Sequence, residues 1–210
     1  MPALTSPLPS EVLTSDGRRA CIRPPTEGDR ADLLALHDGL DDDALRLRFF
    51  NVSPAAGRRY VDHVLSDRPG RVISLVAVVD DAVAGLGTAE LITPDAAEIA
   101  FVVSAAERGH GLGTLLLEHL TTRCHDAGIT RLVADVLPEN ARMAQVFRDA
   151  DTTAQHHLEH GVMRYELATE VSEAAHAATR DRRRCAEERS GSRRALRSVD
   201  PVPPRRSEQP

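Results

Sequence analysis

Six residues between an apolar strand and an amphipathic helix carry the clearest chemistry in this chain: Arg108-Gly109-His110-Gly111-Leu112-Gly113. They follow Phe101-Val102-Val103 and lead into Thr114-Leu115-Leu116-Leu117-Glu118-His119-Leu120. The first N–H groups of a helix have no partner within it, and aligned peptide dipoles add positive potential at that end. A glycine-rich turn there brings bare backbone N–H groups toward an anion, so the segment reads as a seat for a pyrophosphate. It is not a Walker loop, because the Lys-Ser/Thr ending is missing, and it lies too deep in the chain for a dinucleotide-binding fingerprint. The competing reading is a tight strand–helix connection whose glycines only let backbone segments approach.

Two carboxylates lie in the strands that precede this turn. Glu98 opens the apolar run Ile99-Ala100-Phe101-Val102-Val103, where packing gives a charge little reason to sit. Glu90 lies near the end of the preceding strand. Cys124 falls on the apolar side of the helix that follows the turn and reads as a packing residue. His156, His157 and His160 lack a stable ligand spacing, so no metal is expected.

Composition narrows the chemistry. The chain has 210 residues, is 41% hydrophobic and 28% charged, and carries a formal net charge of -6. That charge disfavours duplex nucleic acid as a partner for the whole body. All 26 basic residues are arginine, which excludes a catalytic lysine, a Schiff base and a lysine-dependent phosphate loop. Aromatic residues make up only 3% of the chain, with no tryptophan, so a base-stacking platform is poorly supplied. No apolar run approaches the ~20 residues of a membrane span. The first ten residues lack the basic start and apolar block of a secretory signal. The three cysteines, Cys21, Cys124 and Cys185, are widely spaced and odd in number. A reducing, cytoplasmic setting is the expectation.

The elements that must position the turn follow from periodicity and punctuation. A strand is expected at 19–23, ended by Pro24-Pro25. A helix follows with Thr26 and Asp29 at its start and Leu33, Leu34 and Leu36 on its apolar side. A second short helix is expected over 41–50, and a third begins at Pro54. Strands are expected over 71–79, 83–91 and 98–103, with Asp80-Asp81 and Pro94-Asp95 as turns. The helix after the glycine-rich turn runs to about Asp126 and is closed by Gly128. A strand over 130–136, a helix from Asn140 to about Asp149, and a hairpin around His160-Gly161 complete the order.

The expected fold is α/β (α+β). It is one mixed sheet of about six to seven strands flanked by about four helices, with a parallel crossover between 98 and 136. Residues 1–17 are expected to be a flexible lead and 18–168 the domain. Residues 169–210 are expected to be an arginine-rich, disordered tail; residues 171–210 hold ten arginines against six acidic residues.

The turn, with the strand before it and the leucine-rich helix after it, resembles the Gcn5-related N-acetyltransferase family. The signature of that family is Arg/Gln-x-x-Gly-x-Gly/Ala, and Arg108 through Gly113 matches it fully. The resemblance implies that Arg108, Gly109, His110, Gly111, Leu112, Gly113 and Thr114 hold the pyrophosphate of acetyl-CoA. It also implies that Phe101, Val102 and Val103 pair with the pantetheine arm, and that Asn140 lies near the thiol end. Ile22-Arg23-Pro24, Asp29, Leu45-Arg46-Leu47-Arg48-Phe49-Phe50 and Ala97 through Val103 are similar to bacterial protein lysine acetyltransferases of the Pat type. On that likeness the acceptor is a lysine ε-amine of a protein, an acyl-CoA synthetase being one candidate. Alternatives are a small-molecule amine acetyltransferase acting on aminoglycosides or polyamines, and a non-catalytic acyl-CoA-sensing module.

Transfer of an acetyl group to an amine requires removal of a proton from an ammonium whose reference pKa is near 10.4. The resemblance gives that role to Glu98, with Glu90 as the rival, in a partly apolar pocket. The charge on the carbonyl oxygen is expected to meet the Val103 amide. The tyrosine that many relatives carry seven residues beyond the asparagine is Phe147 here, so a side-chain acid for the departing thiolate is in doubt. Asp38, Asp41, Asp42 and Asp43 lie in the segment that borders the acceptor entrance in this family and could attract a cationic acceptor.

Overall fold

In the computed structural model of the chain, the described residues are 9–40, 54–66, 71–150 and 154–170. They form an eight-stranded sheet in the order β1-β2-β3-β4-β5-β6-β8-β7. The strands are β1 (Ser10–Leu13), β2 (Arg19–Arg23), β3 (Val72–Val79), β4 (Ala82–Thr93), β5 (Ala96–Val103), β6 (Arg131–Val136), β7 (Gln155–Glu159) and β8 (Val162–Ala168). Four α-helices flank it among the described residues: α1 (Arg30–Asp38), α2 (Pro54–Leu65), α3 (Leu112–Asp126) and α4 (Ala141–Asp149). The helix expected over 41–50, the tail from 171 onward and Cys185 lie outside the described residues.

The central strands are buried on both faces, which is why β3 is a nearly unbroken apolar run. Ile73, Leu75, Ala77 and Val79 join the core beneath α3 and α4. Val76 joins a second cluster with Leu33 and Leu36 of α1 and Val61 and Val64 of α2. Asp80 and Asp81 have φ of 49° and 64°, the left-handed pair that a two-residue hairpin turn requires. The β7–β8 hairpin repeats this at His160 and Gly161, with φ of 48° and 86°.

Helix α3 buries Leu112, Leu115, Leu116, Leu117 and Leu120. Each such leucine contributes about 1.5–3 kcal/mol relative to exposure. The helix ends where Gly128 adopts φ of 82° and the N–H of Ile129 donates to the Cys124 carbonyl at 2.9 Å. Among the described residues no helix is long and apolar enough to cross a membrane.

Part of the expected flexible lead is a strand. Ser10–Leu13 pairs antiparallel with β2, Val12 opposite Ala20, and Val12 is fully buried. Only one residue of this edge strand points into the core, so its sequence shows no alternation long enough to read.

Strands β5 and β6 form the parallel pair. They pair only over Ala96–Glu98 against Arg131–Val133. Beyond Glu98 no pairing joins them, and β5 continues alone on that side to Val103.

Candidate active site

The end of β5 is held on its other side, where the Ser104 N–H donates to the Ala84 carbonyl of β4 at 2.9 Å. Backbone groups of successive strand residues face opposite neighbours. Val102 therefore faces β4, whereas the N–H and C=O of Phe101 and Val103 face the gap toward β6. The Arg108 Nε donates to the Val103 carbonyl at 3.4 Å from that side.

A short 3-10 turn (Ala105–Glu107) then leads through extended Arg108 to Gly109 and Gly111, whose φ values are 82° and 83°. L side chains rarely adopt that conformation, so glycine at both positions lets the chain reverse and enter α3 directly. The first α3 N–H to reach a helical carbonyl is that of Leu115, which donates to Gly111 at 3.0 Å. The N–H groups of Leu112, Gly113 and Thr114 precede it and make no bond within the helix.

These elements enclose a cavity of about 480 Å³. Phe101, Val102 and Val103 form one wall, and Arg108, Gly109 and Gly111 through Thr114 form one end. Asn140, Arg142, Met143 and Val146 of α4 close the other side. The cavity has the size of a small-molecule site. One end is rich in N–H groups and positive helix dipole, and one side is an open strand edge. That combination fits a ligand with a diphosphate at one end and an amide-bearing arm beyond it, as coenzyme A has. Asn140 also caps α4, its Oδ1 accepting from the Met143 N–H at 3.1 Å.

Glu98 marks the apex of the gap, as the last residue of β5 paired with β6. It lies directly opposite Glu90 across β4 and β5. By alternation with Val102, both carboxylates lie on the face that carries α1 and α2. The Glu90 Oε2 is 3.2 Å from the His63 Nε2 of α2. Nearby, Tyr60 and Thr88 share a short hydroxyl–hydroxyl hydrogen bond.

A partly apolar pocket is the expectation for Glu98; in the structure its side chain is exposed. The α1 and α2 helices pack over β3, β4 and β5, whereas β6 and β8 show that face a set of ion pairs. Arg164 binds Asp135 through two hydrogen bonds of 2.8 Å, and Arg131 reaches Glu166 at 3.4 Å.

Of the cofactor-side residues expected from sequence, all but His110 line the cavity. The His110 ring turns instead toward Arg18, its Nδ1 lying 3.2 Å from the Nη2. Phe147 is 2% exposed, packs on Tyr165 at 4.5 Å between ring centroids, and is not a lining residue. Cys124 is fully buried, and burial pushes its thiol up to about 12. Asp38 is exposed at the end of α1; Asp41, Asp42 and Asp43 lie outside the described residues. Among the described residues no group of three His, Cys, Asp or Glu side chains could hold a metal ion.

Sequence reasoning missed the α4 wall and the support beneath the turn. Met143 and Val146 are spaced as neighbours on one helix face, and so are Arg142, Gln145 and Asp149, a signal that periodicity could have supplied. Glu107 also lines the cavity. The Arg18 guanidinium bonded to it holds its carboxyl below the usual range. No sequence signal joins these two residues, which stand 89 positions apart.

Comparison with known proteins agrees with this geometry. Residues 40–150 match the model of the acetyltransferase (GNAT) family. The GNAT domain of S. lividans PAT is 30% identical, with 76% of this chain and 96% of that one covered at a TM-score of 0.70. Mycobacterium smegmatis RimJ, in complex with CoA-disulfide, is 20% identical, with 86% and 97% covered at a TM-score of 0.57. A cAMP-binding acyltransferase from Mycobacterium smegmatis is 20% identical, with 89% of this chain and 56% of that one covered at a TM-score of 0.54. The last two likenesses speak for the fold. Matched over more than half its length by the family model, and by a relative at 30% identity, the chain belongs to the GNAT acetyltransferase family.

Proposed function

We propose that the chain transfers the acetyl group of acetyl-CoA to lysine ε-amines on protein surfaces, acyl-CoA synthetases being one candidate acceptor class. The observation that carries the cofactor side is the parting of β5 and β6 beyond Glu98, with the glycine-rich turn at the far end of the gap. The N–H groups from Gly109 to Thr114 hold the diphosphate, assisted by Arg108. The edge of Phe101 and Val103 pairs with the amides of the arm, and Asn140 lies along the opposite side. Bound acetyl-CoA supplies an activated thioester at the apex of the gap.

Glu98 accepts the proton that the acceptor ammonium must lose, directly or through water. The Val103 N–H faces the developing charge on the carbonyl oxygen. Phe147 offers no proton, so solvent protonates the departing thiolate.

The likeness to S. lividans PAT favours a protein acceptor. So does the exposure of Glu98, which suits a side chain presented from a large surface better than an enclosed small molecule. Incubation with labelled acetyl-CoA, a panel of lysine-bearing proteins and a panel of polyamines and aminoglycosides tests the assignment. Label on protein lysines identified by mass spectrometry supports it. Label confined to small amines gives the second enzyme reading, and tight binding without transfer to any amine gives the sensing module.

A further inference from the structure

The hairpin turn between β1 and β2 lies outside the segment that the family model matches, yet it grips the anion turn from below. The N–H of Ser15 donates to the His110 carbonyl at 3.0 Å. In a trans peptide the C=O and the following N–H point in opposite directions. Anchoring the His110 carbonyl on Ser15 therefore aims the Gly111 N–H away from the hairpin, and Gly111 borders the cavity.

Arg18 makes the second grip. Its Nη1 and Nη2 donate to the two carboxylate oxygens of Glu107 at 3.0 and 2.5 Å, a forked pair. Its Nη2 also meets the His110 Nδ1, and its Nε donates to Asp16 at 2.8 Å. Asp80, an exposed fourth neighbour, stands 3.9 Å away. Thr14 closes the turn, its hydroxyl donating to the Arg18 carbonyl at 3.0 Å. The side chain of Arg18 is not among those lining the cavity, whereas Glu107 is.

Two consequences converge. The anion turn contains two left-handed glycines and has little stiffness of its own. Glu107 places a carboxylate beside the very space proposed for a diphosphate, where an unpaired negative charge would repel the ligand. We infer that Arg18 is a positioning residue for coenzyme A binding: it fixes the anion turn through Glu107 and His110 and cancels the Glu107 charge, without touching the ligand. This rests on reading the turn as the diphosphate seat.

The test measures CoA and pantetheine binding by calorimetry, together with steady-state kinetics, for the native chain, R18Q, R18K and the double variant R18Q/E107Q. The native chain should bind CoA far more tightly than pantetheine; failure of that preference overturns the diphosphate reading and this inference together. With the preference intact, R18Q should weaken CoA binding by about tenfold or more, the scale of a charged hydrogen-bond pair, and raise KM while kcat changes little. R18K should recover part of the loss, and E107Q in the R18Q background should recover more by removing the unpaired carboxylate. Unchanged CoA affinity in R18Q, or an equal fall in kcat without a change in KM, overturns the inference even if the melting temperature drops.

Discussion

Glu90 and Glu98 stand directly opposite each other across β4 and β5, at the point where β6 begins to part from β5. Like charges at such a pair destabilise a sheet by about 0.2–1 kcal/mol, and His63 relieves this only from the Glu90 side. A fold selected for stability alone gains nothing by placing two carboxylates here. E98Q should therefore melt at the same temperature as the native chain or higher, while its kcat falls by about 10²–10⁴-fold, the contribution of a general base. CoA affinity should hold. E90Q should cost less activity. Thermal denaturation alongside initial rates checks both; full turnover in E98Q removes it from the base role.

The glycines of the anion turn give a second expectation. A non-glycine residue in the left-handed region costs about 1–2 kcal/mol. G109A and G111A should each lose about that much stability. At Gly109 a Cβ would meet nothing within 4 Å, so its whole penalty is conformational, and G109N should lose less because asparagine tolerates that region better. At Gly111 a Cβ would meet only ordinary contacts with Ser15, from 3.8 Å, so its penalty too is conformational. Because Gly111 caps the helix that starts at Leu112, strain there falls on the helix N–H groups, and G111A should weaken CoA binding more than G109A does. Melting curves with and without CoA separate the two effects.

Part of the acid sensitivity should trace to Asp29. Its carboxylate accepts from the Arg23 Nη1 and Nη2 at 2.8 and 2.6 Å and from the Thr26 N–H at 2.6 Å. These partners, Arg23 foremost, pull its pKa from 3.8 to about 2. A depressed folded-state pKa stabilises above the unfolded value, and that contribution is lost as pH falls through the folded one. D29N should thus be less stable than the native chain at pH 7 by about 2 kcal/mol, with the gap closing between about pH 4 and 2. Urea denaturation at stepped pH follows the difference. A gap that does not change with pH would place the cost in lost packing instead.

Phe147 offers a test by restoration. Its position in sequence is that of a family tyrosine, but its ring is buried against Tyr165 and away from the lining of the cavity. F147Y should leave kcat within about twofold and lower stability by about 1–3 kcal/mol, the cost of burying a hydroxyl without a partner. A large gain in turnover would mean that the added hydroxyl reaches the thiolate after all.

The glycine-rich turn was legible as a turn because glycines, strand and helix are contiguous, so local rules alone specify its shape. The paired aspartates at Asp80-Asp81 and the His160-Gly161 turn were legible for the same reason: each occupies the left-handed conformation its hairpin demands. Glu98 stood out as a charge in an apolar strand, and a solvent-facing strand end was its competing reading; sequence could not decide between them, since exposure depends on which strands α1 and α2 cover. Strand β1 was missed because a single inward residue, Val12, carries its burial. The Arg18–Glu107 fork was invisible because the sheet, not the sequence, brings the β1–β2 turn beneath the end of β5. His110 was expected to face phosphate; the same fork accounts for its ring facing the hairpin instead.

The most direct measurement is calorimetric titration of the native chain with a ligand series: CoA, dephospho-CoA, 4′-phosphopantetheine and pantetheine. If the N–H groups from Gly109 to Thr114 grip a diphosphate, dephospho-CoA should retain most of the affinity of CoA. Affinity should then fall sharply at 4′-phosphopantetheine and again at pantetheine. Equal binding of pantetheine and CoA, or no heat with any member of the series, would contradict the assignment of this turn.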